Sequence, residues 1–457
     1  MLSFFADIDL GASTLTISNQ GTVSWQSFAH LTGAGGLVKT GAGALSLFSS
    51  NSFDGTVQVD QGQLIAYQAG TLGSGLAGTS VATNATLELN FAGPIFTMNE
   101  PLTIAGTLSV TGGRVFNNAP VTLSSTNAVI DIASLPSGLD FNANILSGVA
   151  GAGFTKSGFG QLVLQGSSTQ ERTTIQTGTV LINGAQPSNQ VLLASGGSLA
   201  ALGGTGTVGS VLAVNLARIA PGNSPGILTC SNVAMTNTHF VAELNGTTPG
   251  SGHDQLNVRG TVAISLSAFL DVTVGFNAVP GDSFTVINND GADAVSGIFN
   301  GRPEGSFSTN GATALQISYS GGDGNDVVLT TTGILPTGNT RQWTGAGANG
   351  LWSNPTNWVG NTPPVTGDTL EFPVTAASLV ATNDFVAFAA NRIQFTGSAG
   401  TVHYLLGGNR VVLLAGISSE AQHNGQSQQF FCPLRLLAAQ SFGAGTNSGL
   451  AVVLRFG

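Results

Sequence analysis

The chain contains one internal repeat, and that repeat limits the folds open to it. Gly36-Leu37-Val38-Lys39-Thr40-Gly41-Ala42-Gly43-Ala44-Leu45-Ser46-Leu47 aligns with Gly153-Phe154-Thr155-Lys156-Ser157-Gly158-Phe159-Gly160-Gln161-Leu162-Val163-Leu164 at an offset of 117 residues (156 − 39). Lys39 and Lys156, the two lysines of the protein, occupy the same position. After a one-residue deletion the register continues at 116, where Val57, Val59, Gly62 and Leu64 meet Thr173, Ile175, Gly178 and Val180. The unit reads strand, Gly-x-Gly corner, strand, polar corner, strand, Gly corner, strand. Glycine supplies the positive φ of tight corners, and period-2 alternation sends Leu and Val to one face. Turn clusters recur about every 8–12 residues along the chain, the signature of an all-β fold. Repeated turn chemistry selects a stacked solenoid from among sandwich, barrel and solenoid.

Composition removes the alternatives. Charged residues are 7% of the 457, too few for helices laced with surface ion pairs. Glycine is abundant at 65 but follows no three-residue period, which excludes collagen. Hydrophobic residues at 42% exclude a disordered chain. The net charge of −10 and ten singly scattered arginines exclude a nucleic-acid partner and disfavour an anionic membrane surface. Cys230 and Cys432 stand 202 residues apart, with no spacing that suggests a metal site or disulfide framework. No apolar run approaches the roughly 18 residues of a membrane helix. The opening MLSFFADIDL lacks a secretory n-region and the sequence stops in mid-strand pattern, so it reads as a piece of a longer protein.

The segment Lys39 to Leu64 resembles the autotransporter-associated β-strand repeat of large bacterial surface proteins, and residues 153–181 resemble it more loosely, with Gln170-Glu171-Arg172 in place of Phe53-Asp54-Gly55. Gly203 to Gly209, Ala220 to Gly226, His253 to Leu256 and Tyr319 to Leu329 are similar to the blocks that close such a passenger unit. The resemblance covers roughly 36–330. It implies a right-handed parallel β-helix, exported and found at the bacterial outer surface or outside the cell, non-catalytic, acting as a spacer or an adhesin-like surface. Surface glycans or proteins are the partners it implies. The expected organisation is a first solenoid segment over 1–150, a second over 151–332, a linker at 333–342, and the opening of a further unit over 343–457.

Candidate chemistry is sparse. Gly321-Gly322-Asp323-Gly324-Asn325-Asp326-Val327-Val328-Leu329 fits the calcium nonapeptide G-G-x-G-x-D-x-U-x, which makes Asp323 and Asp326 the one candidate metal site and Ca²⁺ the one candidate cofactor. A single copy supplies half a site, so the expectation is a turn leading into a strand. β-Helix folds also host polysaccharide lyases and glycosidases, which need paired acids with a base. The candidates are the pairs Asp7/Asp9, Asp290/Asp293 and Asp323/Asp326 and the single Asp282; Asp7/Asp9, which would share a strand face, has no His, Lys or Arg within twenty residues, and Asp290/Asp293 lie in a loop composition, so solvated turn residues are the expectation. No nucleophile elbow, H-E-x-x-H or P-loop occurs. Trp343, Trp352 and Trp358 form either a sugar-stacking platform or the packed end of a solenoid, with packing the expectation.

Overall fold

The computed structural model describes all residues except 1, 22–24, 134–135, 195–199, 280, 311–312, 334–337, 386–387, 398–402, 420–427, 437–441 and 445–457. The chain forms a parallel β-solenoid, and its only helical turns among the described residues are two short 3₁₀ turns, Pro355–Asn357 and Val359–Asn361. It divides into two compact units, one of Met1–Phe276, Phe284–Gly301 and Tyr319–Val328, the second of Asn277–Ser283, Arg302–Ser318 and Leu329–Gly457.

In the first unit one face is a sheet of fourteen strands, a second holds seven and a third nine. Neighbours pair in parallel, as in Leu45↔Leu64, Leu64↔Leu87, Leu87↔Leu108 and Ile130↔Lys156, and one coil takes from 17 residues (Ala201↔Arg218) to 33 (Ala263↔Ser296). Stacked at about 4.8 Å, fourteen strands span roughly 60 Å. The inward members of the alternation, among them Leu45, Leu64, Leu87 and Leu108, are fully buried and lie over one another from coil to coil. Ala128–Ile132 pairs with Gly153–Ser157 across residue 150, so the expected division between 1–150 and 151–332 is no boundary. The repeat marks a recurring corner, and the same ladder runs through it.

That corner is built around the lysines. Both are fully buried. Lys39 Nζ donates to Thr40 O (2.7 Å), Gly41 O (2.7 Å) and, one coil on, Gln61 O (3.0 Å). Lys156 Nζ donates to Ser157 O (2.5 Å), Gly158 O (2.7 Å) and Thr177 O (3.4 Å). Each ammonium thus donates to three carbonyls of the corner at once, of which Thr40 O also accepts from Asn19 N (3.3 Å) and Gly158 O from Thr177 Oγ1 (3.2 Å). Gly62 and Gly178 complete the motif at φ 73° and 74°. A Cβ at either would lie 2.4 or 2.5 Å from the carbonyl oxygen of Gly41 or Gly158. The two copies nonetheless lie on different faces. Leu37–Thr40 belongs to the seven-stranded sheet and Ala44–Leu47 to the fourteen-stranded one, whereas Gly153–Ser157 belongs to the fourteen-stranded sheet and Gln161–Leu164 to the nine-stranded one. The offset is therefore five coils and one face.

The second unit repeats the three-faced plan. Thr369–Pro373, Arg392–Thr396 and Ile417–Ser419 pair in parallel on one face, Val380–Asn383 with Leu405–Gly408 on the next, and Phe388–Ala390 with Val411–Leu413 on the third. Thr340–Gln342 pairs with Thr369–Glu371, so the expected linker 333–342 ends inside a strand. An antiparallel pairing, Phe307↔Gln316 to Asn310↔Thr313, departs from the parallel rule.

Lys39→Met removes three hydrogen bonds from the corner carbonyls, which should cost about 2–4 kcal/mol. Urea unfolding followed by far-UV circular dichroism checks this, and an unchanged midpoint would show that the ammonium is not holding the corner.

Candidate functional site

The nine-stranded face begins only at Ile95–Met98. In the preceding coil the chain passes from Gly62–Ala66 to Thr79–Val81 through a strandless loop. A cleft of about 170 Å³ opens there, with Gln68–Gly75 on one side, Thr97–Glu100 on the other and Phe91 also lining it. Glu100 is the chemically distinctive group, with 4% of its surface exposed. Asn117, itself fully buried, mimics a backbone partner: its Oδ1 accepts from Glu100 N (3.2 Å) and its Nδ2 donates to Glu100 O (2.9 Å). The carboxyl Oε1 accepts from Thr79 Oγ1 (2.7 Å). Oε2 lies beside Gly75 on the cleft wall, 3.3 Å from where a Cβ would stand there. Burial raises this carboxyl from 4.5 to about 7, against the opposing bond from Thr79. Glu100 follows Met98 in the inward register that continues at Leu102 and Ile104, and an acid on an inward position was the signal that the sequence carried for it.

Four exposed or half-exposed rings stack on successive coils nearby in sequence. Phe5, Phe28, Phe48 and Tyr67 have centroids 5.2, 4.7 and 4.3 Å apart and nearly parallel planes. Such a ladder covers the ring faces with one another and leaves mainly edges to solvent.

Of the acids named from sequence, Asp7, Asp9, Asp282 and Asp326 accept backbone N–H groups. Asp7 Oδ1 accepts from His30 N (3.0 Å), Asp9 Oδ1 from Gly11 N (2.9 Å) and Asp282 Oδ2 from Val279 N (2.8 Å). Asp290 and Asp293 lie in the turn after Ser283–Asn289, where Asp293 O accepts the side-chain amides of Asn289 and Asn325. Asp326 is buried, accepts from Asn289 N (2.9 Å), and is raised in pKa chiefly by burial. Its neighbours Asn289 and Asn325 each keep a buried Oδ1 with no partner. Asp323 and Asp326 therefore sit in a turn that enters Asp326–Gly333, and among the described residues no three His, Cys, Asp or Glu side chains form a metal-holding group. Asp254, a turn residue in the sequence reading, is a buried tie: Oδ1 accepts from Gly226 N (2.9 Å) and Oδ2 from Glu243 N (3.0 Å), and burial raises it to about 6.

In the second unit Trp343, Trp352 and Trp358 are buried around Phe372, with centroids 6.0, 6.1 and 6.1 Å from its ring. Trp343 Nε1 donates to Ser378 O and Trp358 Nε1 to Trp352 O. Buried Asn357 ties the loop by donating to Asn349 O and Leu351 O. The indoles are core and offer no stacking platform. Cys230 and Cys432 are free and buried thiols, both raised in pKa by burial. No helix among the described residues is long and apolar enough to cross a membrane.

Stacked coils and a recurrent buried-lysine corner define a β-solenoid repeat protein. Comparison with known proteins agrees with this. Residues 37–66 and 154–182 match the family model of the passenger-associated-transport-repeat, the same two segments that carry the lysine corners. The chain is 29% identical over 207 residues to the adhesin BmaC autotransporter of Brucella suis biovar 1 (strain 1330), a stretch covering 45% of this chain and 5% of that protein.

Two outcomes test the site description. Because Glu100 and Asp254 bind protons more tightly folded than unfolded, their contribution to stability falls as pH rises, from about 4.5 to about 7 for Glu100 and from about 3.8 to about 6 for Asp254. Glu100→Gln should flatten the decline of the melting temperature across its own window, and an unaltered slope would contradict the buried carboxyl. Trp358→Ala should cost the second unit about 3–5 kcal/mol, read from its unfolding transition.

Proposed function

We propose that this chain is an adhesin-like passenger segment displayed at the bacterial outer surface, where it presents side chains and performs no catalysis. The observation carrying this reading is the uninterrupted fourteen-strand parallel ladder, which offers one outward row of side chains per coil over a long face. The similarity to an autotransporter adhesin supports it. A solenoid grows by adding coils to a folded neighbour, so a locally satisfied corner is a suitable starting point for folding of an exported chain. That role accords with the transport named in the repeat's family description.

The test is intact-cell antibody labelling of bacteria expressing the full-length protein, with adhesion to epithelial monolayers as a second readout. Labelling of unpermeabilised cells is expected, together with adhesion that falls severalfold when the segment is deleted. Chain found only inside cells would overturn display, and deletion without loss of adhesion would leave a spacer. Release of reducing sugar from a polysaccharide panel by the purified chain would favour a carbohydrate-active enzyme instead.

A further inference from the structure

The cleft beside Glu100 opens in the coil whose passage from Gly62–Ala66 to Thr79–Val81 carries no strand. We propose that it holds one neutral pyranose residue of a glycan chain. The proposal deepens the adhesin-like reading and rests on it only for where the glycan is met.

Size is the first argument. At about 170 Å³ the cleft lies below the roughly 300–1,000 Å³ of sites for drug-sized ligands and suits one ring. Its lining is the second. Gln68, Ser74 and Asn99 bring polar groups, while Leu72, Phe91 and Met98 are buried and apolar. A pyranose has the matching character, with a rim of hydroxyls and faces of C–H groups.

Glu100 supplies the third argument. Its backbone is fixed by Asn117 and its Oε1 by Thr79, which leaves Oε2 on the cleft wall with no partner among the described residues. That oxygen opens on the cleft, where a ligand hydroxyl would take the place of water. The cleft contains no basic side chain to hold this carboxyl ionised, and a neutral carboxyl both donates to and accepts from hydroxyls. Because protein contacts already hold the group, little ordering accompanies binding. Asn99 also heads a row of amides on successive coils: Asn118 Nδ2 donates to Asn99 Oδ1 (3.1 Å) and Asn142 Nδ2 to Asn118 Oδ1 (2.7 Å). That row provides hydrogen-bonding groups at the coil spacing for sugars adjoining the bound one.

Saturation-transfer difference NMR on the purified chain, with the methyl glycosides of glucose, galactose and mannose and with N-acetylglucosamine at about 10 mM, tests this at the millimolar affinity one sugar can reach. At least one pyranoside should receive saturation. Thr97→Trp, a filling substitution at an exposed position, should reduce the signal at least about tenfold while leaving the melting temperature unchanged. Glu100→Ala should weaken it comparably. No transfer from any of these sugars would overturn the proposal, as would transfer indifferent to Thr97→Trp or methylammonium binding at the cleft in place of sugar. Surface display is measured without sugar, so display without sugar binding defeats the cleft alone, and sugar binding without display defeats the passenger reading alone.

Discussion

Corner carbonyls are the constraint on which this structure depends. Along a flat face each amide meets a carbonyl of the next coil in register, and nothing further is needed. Where the chain turns, consecutive carbonyls leave that register, and a carbonyl buried unpaired costs about 1–3 kcal/mol. At Thr40-Gly41 and Ser157-Gly158 a lysine side chain folds inward and supplies three donors at once. Burying the ammonium lowers each pKa from 10.5 to about 8, and the cost of desolvation is offset by bonds to three carbonyls. Both lysines of the protein are used in this way, so neither stands at the surface.

The two corners are alike in detail and different in place. A separation of 117 residues exceeds five coils by one face, so the second copy is turned about the solenoid axis relative to the first. The motif is thus defined by contacts within its own two coils and is indifferent to which face carries it. A consequence appears in the loops. The first copy lies where the nine-stranded face has not yet begun, and the strandless Tyr67–Gly78 passage that follows it creates the cleft wall. In the second copy the passage from Gln161–Leu164 to Arg172–Ile175 is strandless too, and its polar corner closes inward, with buried Gln170 donating to Gln186 (2.7 Å) where Phe53 is buried in the first.

Much of this was legible in the sequence because it rests on local rules. Alternation fixed the strands, glycine fixed the corners, and the alignment of Lys39 with Lys156 marked the staple before its partners were known. The boundary at 150 failed because a recurring motif was read as the start of a segment, although an offset that is not a whole number of coils argues for rotation within one stack. The packing of Trp343, Trp352 and Trp358 around Phe372 follows the general tendency of clustered tryptophan to close a core. Glu100 was not found. Its chemistry depends on Thr79 and Asn117, 21 and 17 residues away, and on a loop that skips one face, and no motif records those relations. Its inward register was the only local sign, just as it was for the lysines.

Hydrogen–deuterium exchange across the whole chain, resolved by peptide, tests the central claim most directly, because local stability varies along a solenoid and exchange reports it coil by coil. If buried lysines hold the corners, peptides from 37–66 and 154–182 will be among the slowest to exchange, with matching protection in the two copies despite their different faces. Protection in those segments no greater than in the coils between them, or protection in one copy alone, would contradict the account.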